Sequence, residues 1–384
     1  MMPAATIPLS LYIHLPWCAF KCPYCDFNSH EGFSPELQQP YVDALLTDLS
    51  SQANGLFDRT IGSIFIGGGT PSLFEGQWIA RLLDGIRAQL EIADDAEITL
   101  ETNPGSAERG RFAAYRAAGV NRLSIGVQTF QDALLQALGR IHHGDDARRA
   151  LDMAAHAGFD RWNIDLMHGL PGQTAESAKA DLEDAIALSA GHISWYQLTI
   201  ERNTRFWSTP PTLPSDDDLE RIQEVGEAVL RDAGFEQYEV SAFSLRTQES
   251  RHNLNYWQFG DYVGIGAGAH GKLTHAAGQV TRTQRTRSPA DYLSQLQSSH
   301  ITPPQRATVD AAALPGEFAM NALRLRSGVP LSYFPDRTGL AVEHLLTNAS
   351  EAVQRGWLTD PEDGRFATSA LGYSFLDSVV ATFI

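Results

Sequence analysis

Hydrophobic and polar positions follow two alternating periods along the first two hundred residues. Leu9–Leu15 is a short run rich in aliphatic side chains and reads as a strand. Ile61–Ile66 is a second such run and ends in Gly67-Gly68-Gly69. Glu97–Glu101, Arg122–Gln128, Trp162–His168 and Ile193–Ile200 read the same way. Between these runs the period lengthens. Tyr41, Leu45 and Leu49 recur at helical spacing, and Ile79, Leu82, Leu83 and Ile86 mark one face of a helix over Gln77–Leu90. Further helices are expected over Ala107–Ala118, Asp132–Ala157 and Glu176–Leu188. Strands alternating with helices of this length predict parallel pairing through right-handed crossovers. A doubly wound sheet fits that pattern too. The position of the unusual residues favours a barrel. Cys18–Cys25, Gly67–Ser72, Glu101–Pro104, Gln128 and Gly169–Gly172 all fall at or just after strand C-termini. In a barrel-type sheet those ends converge on one mouth. The predicted fold is therefore α/β, a partial TIM-like (βα)6 barrel.

The Pro-rich stretch Thr209–Pro214 closes this unit. A helix over Asp217–Ala233 is expected after it, capped by Ser215, and the acidic run Asp216–Asp218 suits a helix N-terminus. Glu236–Phe243 is strand-like. From about residue 301 come two helices, Trp357-Leu358, a turn at Pro361–Gly364, Phe366-Ala367 and a last helix. That order predicts a smaller α+β, winged-helix-like domain. The expected organisation is thus a barrel over 1–210, a connecting region over 211–300 and a C-terminal domain over 301–384.

Charge narrows the function. The net charge is −17, and residues 300–384 hold six Arg against nine acidic residues. Nucleic-acid binding needs clustered cations, so it is not expected here. No apolar run approaches the length of a membrane span, and no basic n-region opens the chain, so a cytoplasmic location is expected. The three cysteines all lie between positions 18 and 25. An odd number so crowded is no disulfide framework and points to a metal or cluster site.

The motif reads Cys18-Ala-Phe-Lys-Cys22-Pro-Tyr-Cys25. Thiolates are the usual protein ligands of iron–sulfur clusters, and C-x3-C-x2-C fits a loop around a cluster corner. Three ligands on a four-iron cluster leave one iron open for a ligand such as S-adenosylmethionine (SAM). The alternatives are three free thiols, or a zinc site completed by His14 or His30, although structural zinc usually shows paired ligand motifs.

On these residues the chain resembles the radical SAM superfamily. Leu11–Cys18 and Cys25-Asp-Phe27 are similar to the branch that holds oxygen-independent coproporphyrinogen III oxidases and HemW-type haem chaperones. The likeness continues through Gly67–Ser72, Glu101–Pro104, Ser124–Gln128, Asn163–Leu166 and Gly169–Gly172. The resemblance implies a [4Fe–4S] cluster on Cys18, Cys22 and Cys25, with SAM as cofactor. It implies that Gly67, Gly68, Gly69 and Thr70 meet SAM, and that Glu101, Gln128, Arg140 and Asp165 line its site. Tyr12 and Tyr24 are implied beside cluster and ligand. His142 and His143 read as surface helix residues.

Two features separate oxidase from chaperone. The oxidases of this branch typically carry a further cysteine two residues after the third, where this chain has Phe27. They also tend to have an added segment before the first strand, which is expected here from Leu9. The string His252-Asn-Leu-Asn-Tyr256-Trp257 is similar to the H-N-x-x-Y-W signature of the chaperones. In that reading His252 is a haem ligand and the aromatic pair packs on the porphyrin. The bland reading is a His and Asn that bond the backbone beside an aromatic patch. Gly264–His270 is a second Gly-rich turn that would line a haem or second-ligand pocket, or only permit tight packing; His270 is a further candidate haem ligand. The function expected from the resemblance is haem binding and delivery to acceptor haemoproteins, with peripheral membrane association and homodimerisation as further expectations. The alternative is a coproporphyrinogen III oxidase acting through a 5′-deoxyadenosyl radical.

Overall fold

The computed structural model describes residues 7–384 without 54, 57, 106–110, 190, 276, 277, 299, 361 and 362. Six parallel strands, β1 (Leu9–Leu15), β2 (Ile61–Gly68), β3 (Ile92–Thr102), β4 (Arg122–Gln128), β5 (Trp162–His168) and β6 (His192–Gln197), pair in chain order. Every residue of β4, and all of β1 except Tyr12, is buried. Such near-continuous burial marks strands covered on both faces, as parallel strands flanked by helices are. The strands therefore direct their C-terminal ends to one side, and the loops that follow them meet there.

The sheet does not close. Its β6 edge is extended by the hairpin β7 (Glu236–Glu239) and β8 (Ala242–Ser244), and β8 runs antiparallel to β6. At the other edge β9 (Asp261–Ile265) lies parallel to β1, followed by antiparallel β10 (His270–Thr274), β11 (Val280–Gln284) and β12 (Gln305–Thr308). The region expected as a connector thus supplies strands to both edges of the sheet. The sequence pattern hid them because they are short and sit between Gly-rich turns.

The helices follow the periodic segments, with two informative differences. The single helical region expected over Asp132–Ala157 is broken into Asp132–Leu138 and Gly144–His156. Gly139 ends the first helix at φ 72°, a left-handed cap that glycine adopts without strain. The strand expected over Glu236–Phe243 is the hairpin just described. The start of the helix expected over Ala107–Ala118 lies outside the described residues, and Arg111–Ala118 is helical.

The C-terminal part packs its helices Leu314–Ala322, Tyr333–Thr338 and Val342–Gln354 around Phe318, Phe334, Leu345 and Phe366. Phe259 and Val280 join that core, so it is continuous with the β9–β11 extension. Its small sheet pairs β13 (Val329–Pro330) with β14 (Arg365–Phe366). The last helix is two short ones, Ala370–Ser374 and Leu376–Ala381.

Buried ion pairs fasten the β9–β12 extension to the barrel. Asp48, on the first helix (Gln38–Gln52), receives Arg285 Nε at 3.0 Å, Tyr292 Oη at 2.8 Å and the backbone N–H of Gly266 at 3.3 Å. Both members of the Asp48–Arg285 pair are almost wholly shielded from solvent, at 0% and 1% exposure. Removing one partner leaves the other charge buried and uncompensated. Asp48→Ala is expected to cost about 3–5 kcal/mol of stability, measured by chemical denaturation. A loss of under about 1 kcal/mol, typical of exposed pairs, would show that Arg285 reaches solvent in solution.

Candidate functional site

The loop from Pro16 to His30 leaves β1, carries the three cysteines and returns. It is pinned at its base, where Cys18 N–H donates to His30 O at 2.9 Å and His30 N–H donates to Pro16 O at 2.7 Å. The next loop closes over it: Gly69 N–H donates to Leu15 O at 2.8 Å and Thr70 N–H to Trp17 O at 2.7 Å. A Cβ on Gly69 would lie 2.4 Å from Trp17 O, so this approach requires glycine. Cys18, Cys22 and Cys25 all line one cavity of about 440 Å³ at the C-terminal ends of the strands.

Each thiol has a donor beside it. Thr70 Oγ1 donates to Cys18 Sγ at 3.5 Å and Arg140 Nη1 to Cys22 Sγ at 3.5 Å, while Ser29 Oγ stands 3.8 Å from Cys25 Sγ. Burial pushes the Cys18 and Cys25 thiols up from their ordinary range. A metal centre reverses that preference, because only thiolates ligate. Among the described residues no three His, Cys, Asp or Glu side chains stand close enough to hold a single ion. Three cysteines of a four-iron cluster each bind their own iron, which a C-x3-C-x2-C loop around one cavity would permit. The two candidate zinc histidines are also engaged. His14 Nδ1 lies 2.7 Å from Tyr12 Oη and its Nε2 2.8 Å from Asn28 O. His30 Nε2 lies 3.2 Å from Arg287 O.

The strand ends bring the other expected residues to the same cavity. Gly68, Gly69, Thr70, Glu101, Gln128, Arg140, Asp165 and Tyr24 all line it. Gly68 sits at φ 118°, and its N–H donates to Glu101 Oε2 at 3.1 Å. Gln128 ends β4 in the left-handed region at φ 71°, an uncommon conformation for a side-chain-bearing residue. Its Oε1 accepts from Tyr196 Oη at 2.9 Å. Arg140 occupies the break after Gly139. Its Nη2 donates to Asn103 Oδ1 and to Gly126 O, both at 2.7 Å. Asp165 accepts from Ser124 Oγ at 2.9 Å and from Asn163 Nδ2 at 2.7 Å.

Three expected residues sit elsewhere. Gly67 does not line the cavity; a Cβ there would meet Phe65 and Glu101, so it serves packing. Tyr12 opens instead to a second cavity of about 660 Å³, which shares Phe27, Gly68 and Glu101 with the first. His252 lines neither cavity. Its ring stacks on Phe65 with centroids 4.1 Å apart, and Nδ1 stands 2.9 Å from Ser250 Oγ and 3.4 Å from Glu97 Oε1. Asn255 Nδ2 donates to Asp261 O at 2.9 Å. The motif's own Asn, Asn253, donates from Nδ2 to Tyr238 Oη at 3.4 Å, so His252, Asn253 and Asn255 anchor the short helix Arg251–Trp257, while Tyr256 and Trp257 line the second cavity. His142 is a correction: it is buried, with Nε2 3.1 Å from Val127 O, and burial lowers its imidazole to about 4. Only His143 is exposed, as N-cap of the second helix. The pattern missed Asn103 and Tyr196. Asn103 bridges Arg140 to Thr70 Oγ1 at 3.0 Å and lies just after the predicted strand Glu97–Glu101, which was the available signal; Tyr196 lies inside the predicted strand Ile193–Ile200, where no such signal marks it.

The Radical SAM superfamily model matches residues 12–185, and the HemN C-terminal domain model matches residues 309–375. The chain is 48% identical over 377 residues to "Heme chaperone HemW" of Escherichia coli (strain K12), covering 98% of each. It is 46% identical over 381 residues to the protein of the same name from Haemophilus influenzae, again covering 98% of each. Its fold matches a solved structure of coproporphyrinogen III oxidase (HemN) from Escherichia coli with a TM-score of 0.82, over 99% of this chain and 92% of that one, at 22% identity.

The two half-buried carboxyl groups have a measurable consequence. Burial, and then the charge of Asp165, push Glu101 up to about 8. The folded chain therefore holds the Glu101 proton more tightly than the unfolded chain. Stability falls as pH rises from the ordinary carboxylate range through about 8, and it is not regained above that. Glu101→Gln removes the slope. In the ligand-free protein the variant is expected to melt above the wild type at about pH 8 and to converge with it near about pH 5. Parallel melting curves across this range would refute a protonated Glu101.

Proposed function

We propose that this chain, which belongs to the HemW family of haem chaperones within the radical SAM superfamily, binds a [4Fe–4S] cluster, SAM and haem and delivers haem to acceptor haemoproteins. The observation that carries the reading is one cavity shared by the three thiols, the carboxylates of Glu101 and Asp165, and Phe27. Cys18, Cys22 and Cys25 would hold three irons of the cluster and leave the fourth for SAM. Together those two groups supply one-electron chemistry when bound.

The chain's own groups fit that ligand. The loop of Gly68, Gly69 and Thr70 offers close backbone approach to an amino acid moiety. Glu101 and Asp165 suit an ammonium, a sulfonium or ribose hydroxyls, and a cation there would favour ionised Glu101. Arg140 adds positive charge beside Cys22. Gln128, held by Tyr196, presents a fixed amide. Phe27 stands 61% exposed at the rim where the oxidases have a fourth cysteine. An apolar ring there can neither ligate nor transfer a proton, which favours carrier over oxidase.

Acceptors bound to membranes, and a homodimer, belong to the same reading. Leu371, Phe375 and Ile384, all exposed near the end of the chain, are side chains that such contacts would cover. Among the described residues no helix is long and apolar enough to cross a membrane.

Anaerobic reconstitution tests the assignment. Replacing Cys18, Cys22 and Cys25 by Ala is expected to abolish the charge-transfer absorbance of the cluster, and an intact four-iron spectrum would defeat the ligand set. Reconstituted wild type, given SAM and a reductant, is expected to bind haem stably and to leave coproporphyrinogen III unchanged. Formation of protoporphyrinogen IX would make the protein an oxidase.

A further inference from the structure

The second cavity has the composition of a porphyrin site. Its volume of about 660 Å³ falls in the range of about 300–1,000 Å³ usual for cofactor pockets. Tyr12, Phe65, Tyr256, Trp257 and Tyr262 give it aromatic walls. Rings of this kind supply flat apolar area for a planar macrocycle. Two imidazoles line it, those of His14 and His270. Both nitrogens of His14 are engaged, to Tyr12 Oη and to Asn28 O. His270, the first residue of β10, is exposed, and its ring makes no hydrogen bond among the described residues.

A carboxylate partner is also present. Arg282 is committed to Glu317, with Nη2–Oε2 at 2.6 Å. Arg287 is exposed on the cavity wall, and among the described residues its guanidinium has no carboxylate partner, only a long contact of 3.4 Å to Asn28 Oδ1. An open guanidinium suits a propionate. His252, by contrast, stands behind Phe65 and is held by Ser250 and Glu97.

Resting on the haem-carrier reading above, we infer that haem occupies this second cavity, with His270 as an axial iron ligand and Arg287 as a propionate partner. The motif helix then contributes Tyr256 and Trp257 as walls, and His252 acts as a positioning residue through Phe65. Haem so placed borders Phe27, Gly68 and Glu101, the residues it would share with the cluster cavity.

The test is a titration of ferric haem into the cluster-reconstituted full chain, read as difference absorbance against the same protein without haem, and by EPR of the ferric iron. His270→Ala is expected to shift the Soret band and the iron signals and to weaken binding about tenfold or more. Added imidazole should restore the wild-type spectrum. Arg287→Ala should weaken binding with the ligand spectrum retained, and His252→Gln should keep the wild-type iron signals. Unchanged spectrum and affinity in His270→Ala, or loss of the native iron signals in His252→Gln alone, would overturn the assignment. A wild type that takes up no haem would overturn the haem-carrier reading itself.

Discussion

The site depends on one half-buried cation without a carboxylate partner. Among the described residues Arg140 forms no ion pair with an acid; its donors go to Gly126 O, Asn103 Oδ1 and Cys22 Sγ. A guanidinium partly removed from water needs compensating negative charge or hydrogen bonding for the donors it turns inward. Here that compensation comes from the end of β4, the loop after β3 and the cysteine loop together. Three segments distant in sequence are therefore held in one arrangement by a single side chain. The arrangement exists because Gly139 halts the preceding helix and lets Arg140 turn to the cavity instead of out to solvent. Negative charge on Cys22, as a thiolate or through the cluster, offsets the same cation. The cluster loop and the Arg140 side chain that reaches Cys22 are thus coupled electrostatically.

The carboxylates answer from the opposite direction. Glu101 and Asp165 are both pushed up by burial, and they face the same space as the thiols. Two carboxyl groups whose ionisation burial disfavours become easier to ionise once a cation enters the space between them. Binding of a cationic ligand there would therefore be linked to proton release from these carboxyls. It also links the two cavities. Glu101 borders both, so ionisation on one side alters the field on the other.

Much of this could be read from the chain. The six parallel strands and the placement of cysteines, glycines and carboxylates at their C-terminal ends follow from hydrophobic period and spacing. Those cues are local. What escaped was non-local. β9 joins the barrel by pairing Asp261–Ile265 with Leu9–Ile13, far away in sequence, and nothing in its own pattern announces that Asp261 will meet Arg59 at 2.8 Å. The break at Gly139 was masked because the apolar spacing on either side is continuous with a helix. The roles within His252–Trp257 were also illegible. A histidine beside two aromatics reads equally as ligand or as anchor until its neighbours Phe65 and Glu97 are seen.

Those hidden contacts share a physical character. Glu97 would be raised by burial, yet His252, Arg122 and Arg161 hold it down to about 2. Asp261 pairs with both Arg59 and Lys272, and Lys272 is lowered to about 8 by its burial. Buried ion clusters such as these stabilise little compared with apolar packing, because desolvation offsets most of the attraction. Their effect is on register: a misaligned strand would leave a charge unpaired in the interior, at a cost of several kcal/mol (about 3–5). Each cluster fastens an element of the second cavity to the barrel. Asp261 fixes β9 and β10, Asp48 fixes the Gly266 turn and Arg285, and Glu97 fixes the motif helix at Arg251 N–H. The second cavity is therefore bounded by segments whose alignment is enforced electrostatically, which is what a rigid binding surface requires on a scaffold extended beyond its barrel.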